Sequence, residues 1–191
     1  MKYLYGLCLI VILTSCYTSP RHVVLGGQQI SQFAKEVEKT DHLMIVGSGG
    51  GFYNGISKFS FTFFSPMAAD IESARRLYID ISSRFLQKIN EYEEIHCYLY
   101  DYPVTIHNLD LHILFHPKVK MDISTYVDGI GMGENASDSK NNDIYYIQDD
   151  EINDRSNIFF QEPYIKAIEI VEQQNNLLQN NFWAVDAHDP H

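Results

Sequence analysis

Residues 56–93 read ISKFSFTFFSPMAADIESARRLYIDISSRFLQKINEYE. The hydrophobic period changes within this stretch. In residues 56–64, Phe59, Phe61 and Phe63 alternate with Lys58, Ser60 and Thr62. A period of two carried by aromatic side chains predicts a strand with one buried face. After Ser65-Pro66 the period lengthens. Ile71, Ala74, Leu77, Tyr78, Ile81, Phe85, Ile89 and Tyr92 recur at three- and four-residue intervals, with Arg75, Arg76, Asp80, Arg84 and Lys88 mostly off that stripe. The spacing predicts an amphipathic helix over 67–93, with Ser65 as N-cap, Pro66 at the first helical position and Asp70 near the start.

Working outward toward the N-terminus, residues 43–46 form a compact aliphatic run before GSGGGFYNG (47–55). The pattern predicts a hairpin with Asn54-Gly55 in a tight turn and the upstream glycines in a bulged strand end. Residues 28–40 place Ile30, Phe33, Ala34 and Val37 at helical spacing. Residues 17–27 contain a proline and a Gly-Gly pair and read as a tether. Toward the C-terminus, residues 95–100 (IHCYLY) read as a strand ended by Asp101-Tyr102-Pro103. In 104–115, Leu109, Leu111, Ile113 and Phe115 alternate with Asp110, His112 and Leu114, and Pro117 follows. Residues 123–132 read as a further, glycine-weakened strand. Residues 134–157 read as two polar loops around the short apolar run IYYI. A helix over 162–180 carries Tyr164, Ile165, Ile168, Val171 and Leu178 on one face. Consecutive strands with few intervening helices predict an α+β class: a single domain with a mainly antiparallel or mixed sheet packed by two to three helices.

The chain has 191 residues, with 14 Lys+Arg against 25 Asp+Glu and a net charge of −11. Such a domain repels nucleic acid and anionic head groups, which argues against a nucleic-acid partner. The three cysteines are Cys8, Cys16 and Cys97. Cys97 sits in an apolar run and reads as a buried, inert thiol.

The first sixteen residues differ from the rest. Lys2 precedes an apolar run over 3–13, followed by Leu13-Thr14-Ser15-Cys16. The run suits the hydrophobic segment of an export signal and is too short to span a bilayer. The four-residue site resembles the lipobox of bacterial lipoproteins. The resemblance covers this segment alone. It implies cleavage before Cys16, a diacylglycerol on the Cys16 thiol and often an acyl chain such as palmitate on the new amino group. Several acyl chains, at about 0.8 kcal/mol per buried methylene, hold a protein at a membrane stably where one does not. The expected organisation is a signal peptide over 1–15, a lipidated cysteine and tether over 16–27, and one domain over 28–191. Loss of Lys2 takes the net charge from −11 to −12.

For chemistry, no catalytic motif is complete. The glycines at 47–51 follow an apolar run, but no Gly-Lys-Ser/Thr ends them and a strand follows, so a phosphate loop is not indicated. Ser48 lies in Gly47-Ser48-Gly49 without the spacing of a nucleophile elbow. His107, His112 and His116 fall within ten residues, and Asp110, His112 and His116 share one face of a strand. Imidazole and carboxylate suit zinc-like ions, so these three are the candidate metal ligands. However, residues 112 and 116 on a strand lie about 13 Å apart, too far to share one ion. The acidic run Asp149, Asp150, Glu151 and Asp154 lacks the glycine and glutamate positions of a calcium loop and reads as solvated. His188 and His191 belong to the tail. Tyr98, Tyr100, Tyr102, Tyr145 and Tyr146 are candidates for a protein or glycan contact surface.

The sequence therefore predicts a non-enzymatic, membrane-anchored cell-envelope protein whose domain binds another protein or envelope component, with no cofactor and no bound metal. Two alternatives stay open. One is a lipid-anchored metal-dependent hydrolase using the histidines at 107–116. The other is a small-ligand-binding domain with the glycine-rich turn at the mouth of its sheet.

Overall fold

The computed structural model describes residues 19–116, 126–133, 143–150 and 155–186. Residues 1–18, and with them Cys16 and its lipidation, lie outside the described residues. So do Glu151, Asp154, His188 and His191.

The fold is α+β, as the alternation of periods predicts. Six strands form one mixed sheet: β1 (Met44–Gly51), β2 (Lys58–Ser65), β4 (Leu109–Phe115), β6 (Gly129–Gly133), β7 (Asp143–Asp150) and β8 (Arg155–Pro163), in that spatial order. Only β2 and β4 run parallel; the other neighbours are antiparallel. The short strands β3 (Ala69–Asp70) and β5 (Tyr126–Val127) pair separately. The helices are α1 (Arg21–Thr40), α2 (Ile71–Glu91), the single turn α3 (Glu93–His96) and α4 (Tyr164–Asp186). Helix α2 lies in the crossover that the parallel β2–β4 pair requires.

The alternation in β2 and β4 is realised residue by residue. Phe59, Phe61, Phe63, Leu109, Leu111, Ile113 and Phe115 are buried under the helices, and Ser60, Thr62, Phe64, Asp110, His112 and Leu114 are half-buried on the opposite face. At the core, Phe85 of α2 meets Phe33 of α1 and Phe59 and Phe61 of β2 edge to face, at centroid distances of 5.0–5.1 Å. Such aromatic pairs add about 0.5–1.5 kcal/mol each beyond their burial.

Several boundaries differ from expectation. Helix α1 begins at Arg21, not Gln28, so residues 21–27 are helical and not a tether. Gly26 causes no break because it is buried at a close approach. A side chain there would collide with the Phe52 ring and touch Ile56. Helix α2 starts at Ile71 with Asp70 as its cap, Asp70 accepting from the Ser73 amide at 2.8 Å. Ser65 instead ends β2, and its hydroxyl oxygen accepts from the Met67 amide. The hairpin β1–β2 closes over residues 52–57, not in a two-residue Asn54-Gly55 turn. No glycine among the described residues has positive φ, which a tight hairpin turn would need.

Residues 95–100 are not a strand. Tyr98 and Leu99 donate to the carbonyls of Ile95 and His96, three residues back, so the chain coils after α3, and Ile95 alone is fully buried. Cys97 is consequently exposed, correcting the expectation of a buried thiol. Strand β8 is not expected from the sequence, because a bulge interrupts its period: Tyr146 pairs with Phe160 and Ile147 with Ile158, leaving Phe159 unpaired. In α4 the buried face is Tyr164, Ala167 and Val171, whereas Ile165 is exposed.

Candidate functional site on the open face of the sheet

Helices α1, α2 and α4 pack on one face of the six-stranded sheet. Phe33 and Phe85 meet the odd-numbered residues of β2, and Arg75 of α2 reaches Glu162 of β8 on that side. No described helix lies on the other face. Strand register sorts the side chains of that open face into rows running across the strands.

One row is apolar: Met44, Phe64, Leu114, Gly129, Ile147 and Ile158, one residue from each strand in spatial order. The His116 ring leans on Phe64 at 5.9 Å beside it. The adjacent row is polar and small: Gly47, Thr62, His112, Gly131, Tyr145 and Gln161. Beyond it stand Gly49, Ser60 and Asp110 on β1, β2 and β4, and Asp143 on β7 opposite Gly133. On the far side of the apolar row, alternation along β7 places the exposed Asp149 on this face, where it accepts from the Ser156 hydroxyl at 2.7 Å.

Gln161 Nε2 donates to Asp143 Oδ2 at 2.6 Å, and Asp110 and His112 form a second polar group on β4. His112 Nε2 lies 3.0 Å from Asp110 Oδ1, and the Ser60 hydroxyl donates to Asp110 Oδ2 at 3.2 Å. With Nε2 turned to Asp110, Nδ1 faces the other way. That nitrogen lies over Gly131, where any Cβ would come closer to it than 3.0 Å. Glycine at 131 is thus what lets the imidazole lie flat on the sheet.

The geometry limits the chemistry. Ser60 bonds the carboxylate and not the imidazole, so the trio does not form a nucleophile–base relay. His116 sits beyond the end of β4, turned to Phe64, and is not brought to Asp110 and His112. No cluster of three or more His, Cys, Asp or Glu suited to a metal occurs among the described residues. Ser48 lies within the edge strand β1, and Gly47–Gly51 belong to that strand, so the glycine-rich turn expected at the mouth of the sheet is not there.

Two features escaped the sequence. Arg75, assigned off the apolar stripe, is buried and donates from Nε to Glu162 Oε1 at 2.6 Å; the Tyr146 hydroxyl donates to the same oxygen. Burial alone would favour a neutral guanidine, but the bond to Glu162 outweighs it and Arg75 stays charged. Burial, reinforced by the Glu162 bond, pushes the Tyr146 phenol far above its usual range. Nothing in the local sequence marks this trio, since its members are 71 and more residues from Arg75 along the chain. The second feature is an open groove of about 700 Å³ between α2 and α4, lined by Arg76, Leu77, Asp80, Ile168, Val171 and Glu172 among others. Its charges are mixed, and Arg76 is already bonded to Glu72 and Gln174.

No protein-family model matches the chain, and no curated protein or solved structure matches it significantly. No described helix is long and apolar enough to cross a membrane.

Proposed function

We propose that this is a lipid-anchored cell-envelope protein whose domain is a non-catalytic interaction module, docking its partner on the open face of the sheet. The observation that carries the binding reading is the row of Met44, Phe64, Leu114, Gly129, Ile147 and Ile158 lying across a sheet face that no described helix covers. Lone exposed apolar residues are ordinary, whereas an aligned row rimmed by polar residues is the pattern of a contact surface. The anchor rests on residues 2–16 with Cys16 as the lipidated residue, and the net charge of −11 supports a partner other than nucleic acid or an anionic bilayer surface. The membrane is then reached through the acyl chains.

Two measurements on the protein expressed in a bacterium test this reading. Wild type is expected to partition into detergent with a lipid-modified Cys16 at its N-terminus, and Cys16→Ala to stay aqueous and uncleaved. Equal partitioning with Met1 retained removes the anchor. A photoreactive residue at Thr62 is expected to give envelope cross-links that the same residue at Lys35, on the exposed side of α1, does not; equal labelling removes the open face as the docking surface.

The hydrogen-bonded Asp110–His112 pair favours one second reading, a metal-dependent hydrolase with further ligands from outside the described residues. Stoichiometric zinc in the purified protein, lost in His112→Ala, would support it.

A further inference from the structure

We infer that the open face takes a cationic amphipathic helix lying across the strands, its apolar stripe on the Met44–Ile158 row and its lysines or arginines over the carboxylates on either side. The inference rests on the docking reading above and adds the chemistry of the partner. Shape comes first. The apolar row crosses six strands, hence five gaps of about 4.8 Å, or roughly 24 Å. A helix of about 16 residues, at 1.5 Å per residue, has that length. The row is continuous at its centre. A Cβ at Gly129 would touch Leu114 Cδ2 at 3.6 Å and the Ile147 Cβ at 3.7 Å, so these two side chains flank the glycine at contact distance.

Charge then selects among partners. Asp149 borders the apolar row on one side, and Asp110 and Asp143 stand two rows away on the other. Successive rows are about 6.7 Å apart, within reach of lysine and arginine side chains leaving the flanks of a helix about 10 Å wide. Among the described residues, the basic side chains of this face are Lys58, one row further out on β2, His112, already bonded to Asp110, and His116, against Phe64. An apolar stripe with carboxylates on both borders complements a helix with an apolar stripe and cations on both borders, and it opposes an acidic one. A second copy of this chain, at −11, is disfavoured on the same ground.

The test uses the full-length protein in zwitterionic nanodiscs, with empty nanodiscs subtracted. The probes are two labelled 16-residue peptides sharing one leucine stripe, one with lysine and one with glutamate at the flanking positions. The lysine peptide is expected to bind at least about tenfold more tightly, with the advantage shrinking as salt rises. Leu114→Asp is expected to weaken it at least about tenfold, although the change adds negative charge that would favour a purely electrostatic contact. Ile158→Asp, on the edge strand and half exposed, is the second apolar variant should Leu114→Asp fail to fold. Asp110→Asn with Asp143→Asn is expected to bring the two peptides within about threefold of each other. Equal binding of both peptides, or binding indifferent to both apolar substitutions, overturns the inference. So does vesicle association of the Cys16→Ala protein that Leu114→Asp abolishes, which would assign the row to a lipid surface. Selective cross-linking from Thr62 together with equal peptide binding would sink the helix chemistry and leave the docking surface standing.

Discussion

At the scale of single residues, the buried trio of Arg75, Tyr146 and Glu162 carries the largest stakes. Arg75 and Glu162 are 8% and 6% exposed, so removing either one strands a charge in a dry interior. Glu162→Ala is expected to cost about 3–5 kcal/mol in urea unfolding, because breaking a buried pair costs far more than the pair itself contributes. Replacing Arg75 and Glu162 together with methionine and leucine is expected to recover most of that loss. Asp70 gives a second, pH-dependent test. The Ser73 amide, then its hydroxyl, holds this carboxyl below the 3.8 of an unperturbed aspartate. A depressed carboxyl binds fewer protons folded than unfolded, so its contribution is present above pH 3.8 and is lost as pH falls through the folded value. Asp70→Ala is therefore expected to destabilise by about 1 kcal/mol at pH 7, a typical cap effect, and its difference from wild type to fade in acid.

At the scale of elements, the four glycines of edge strand β1 are not equivalent. Gly50 backs onto the Lys58 carbonyl and the Phe52 ring, where a Cβ would approach both more closely than 3.0 Å, whereas Gly49 faces open space. Gly50→Ala is expected to cost about 1–3 kcal/mol through overpacking, and Gly49→Ala to be neutral or slightly stabilising because alanine loses less backbone entropy. A matched pair of thermal melts decides this, and equal effects would refute the close approach. Element type was legible where the period was clean. Phe59 to Phe63 and Leu109 to Phe115 announce two half-buried strands, and Tyr78 to Ile89 a helix. It was illegible where packing or a bulge broke the period, as at Phe159 in β8 and Gly26 in α1.

At the scale of the molecule, the N-terminal helix is part of the core. Leu25 is buried and Gly26 seats Phe52, so a chain starting at Gln28 loses packing along with two turns of α1. Such a truncation is expected to lose about 2–4 kcal/mol, on the scale of deleting one large core side chain, whereas a chain starting at Ser19 is expected to unfold like the full domain. Chemical denaturation of the two truncations measures the difference.

By itself the sequence determined the α+β class, the inward faces of β2 and β4, the acidic charge and the expectation of a lipidated Cys16. Each of these is a local property: a period, a composition or a short motif. Only the tertiary structure decided that β2 and β4 run side by side in parallel, that Arg75 is buried against Glu162, and that six residues spread from Met44 to Ile158 form one row. These depend on register between strands distant in sequence. A shift of one residue in any strand would turn its member of the row to the other face, and no local pattern encodes which strands become neighbours.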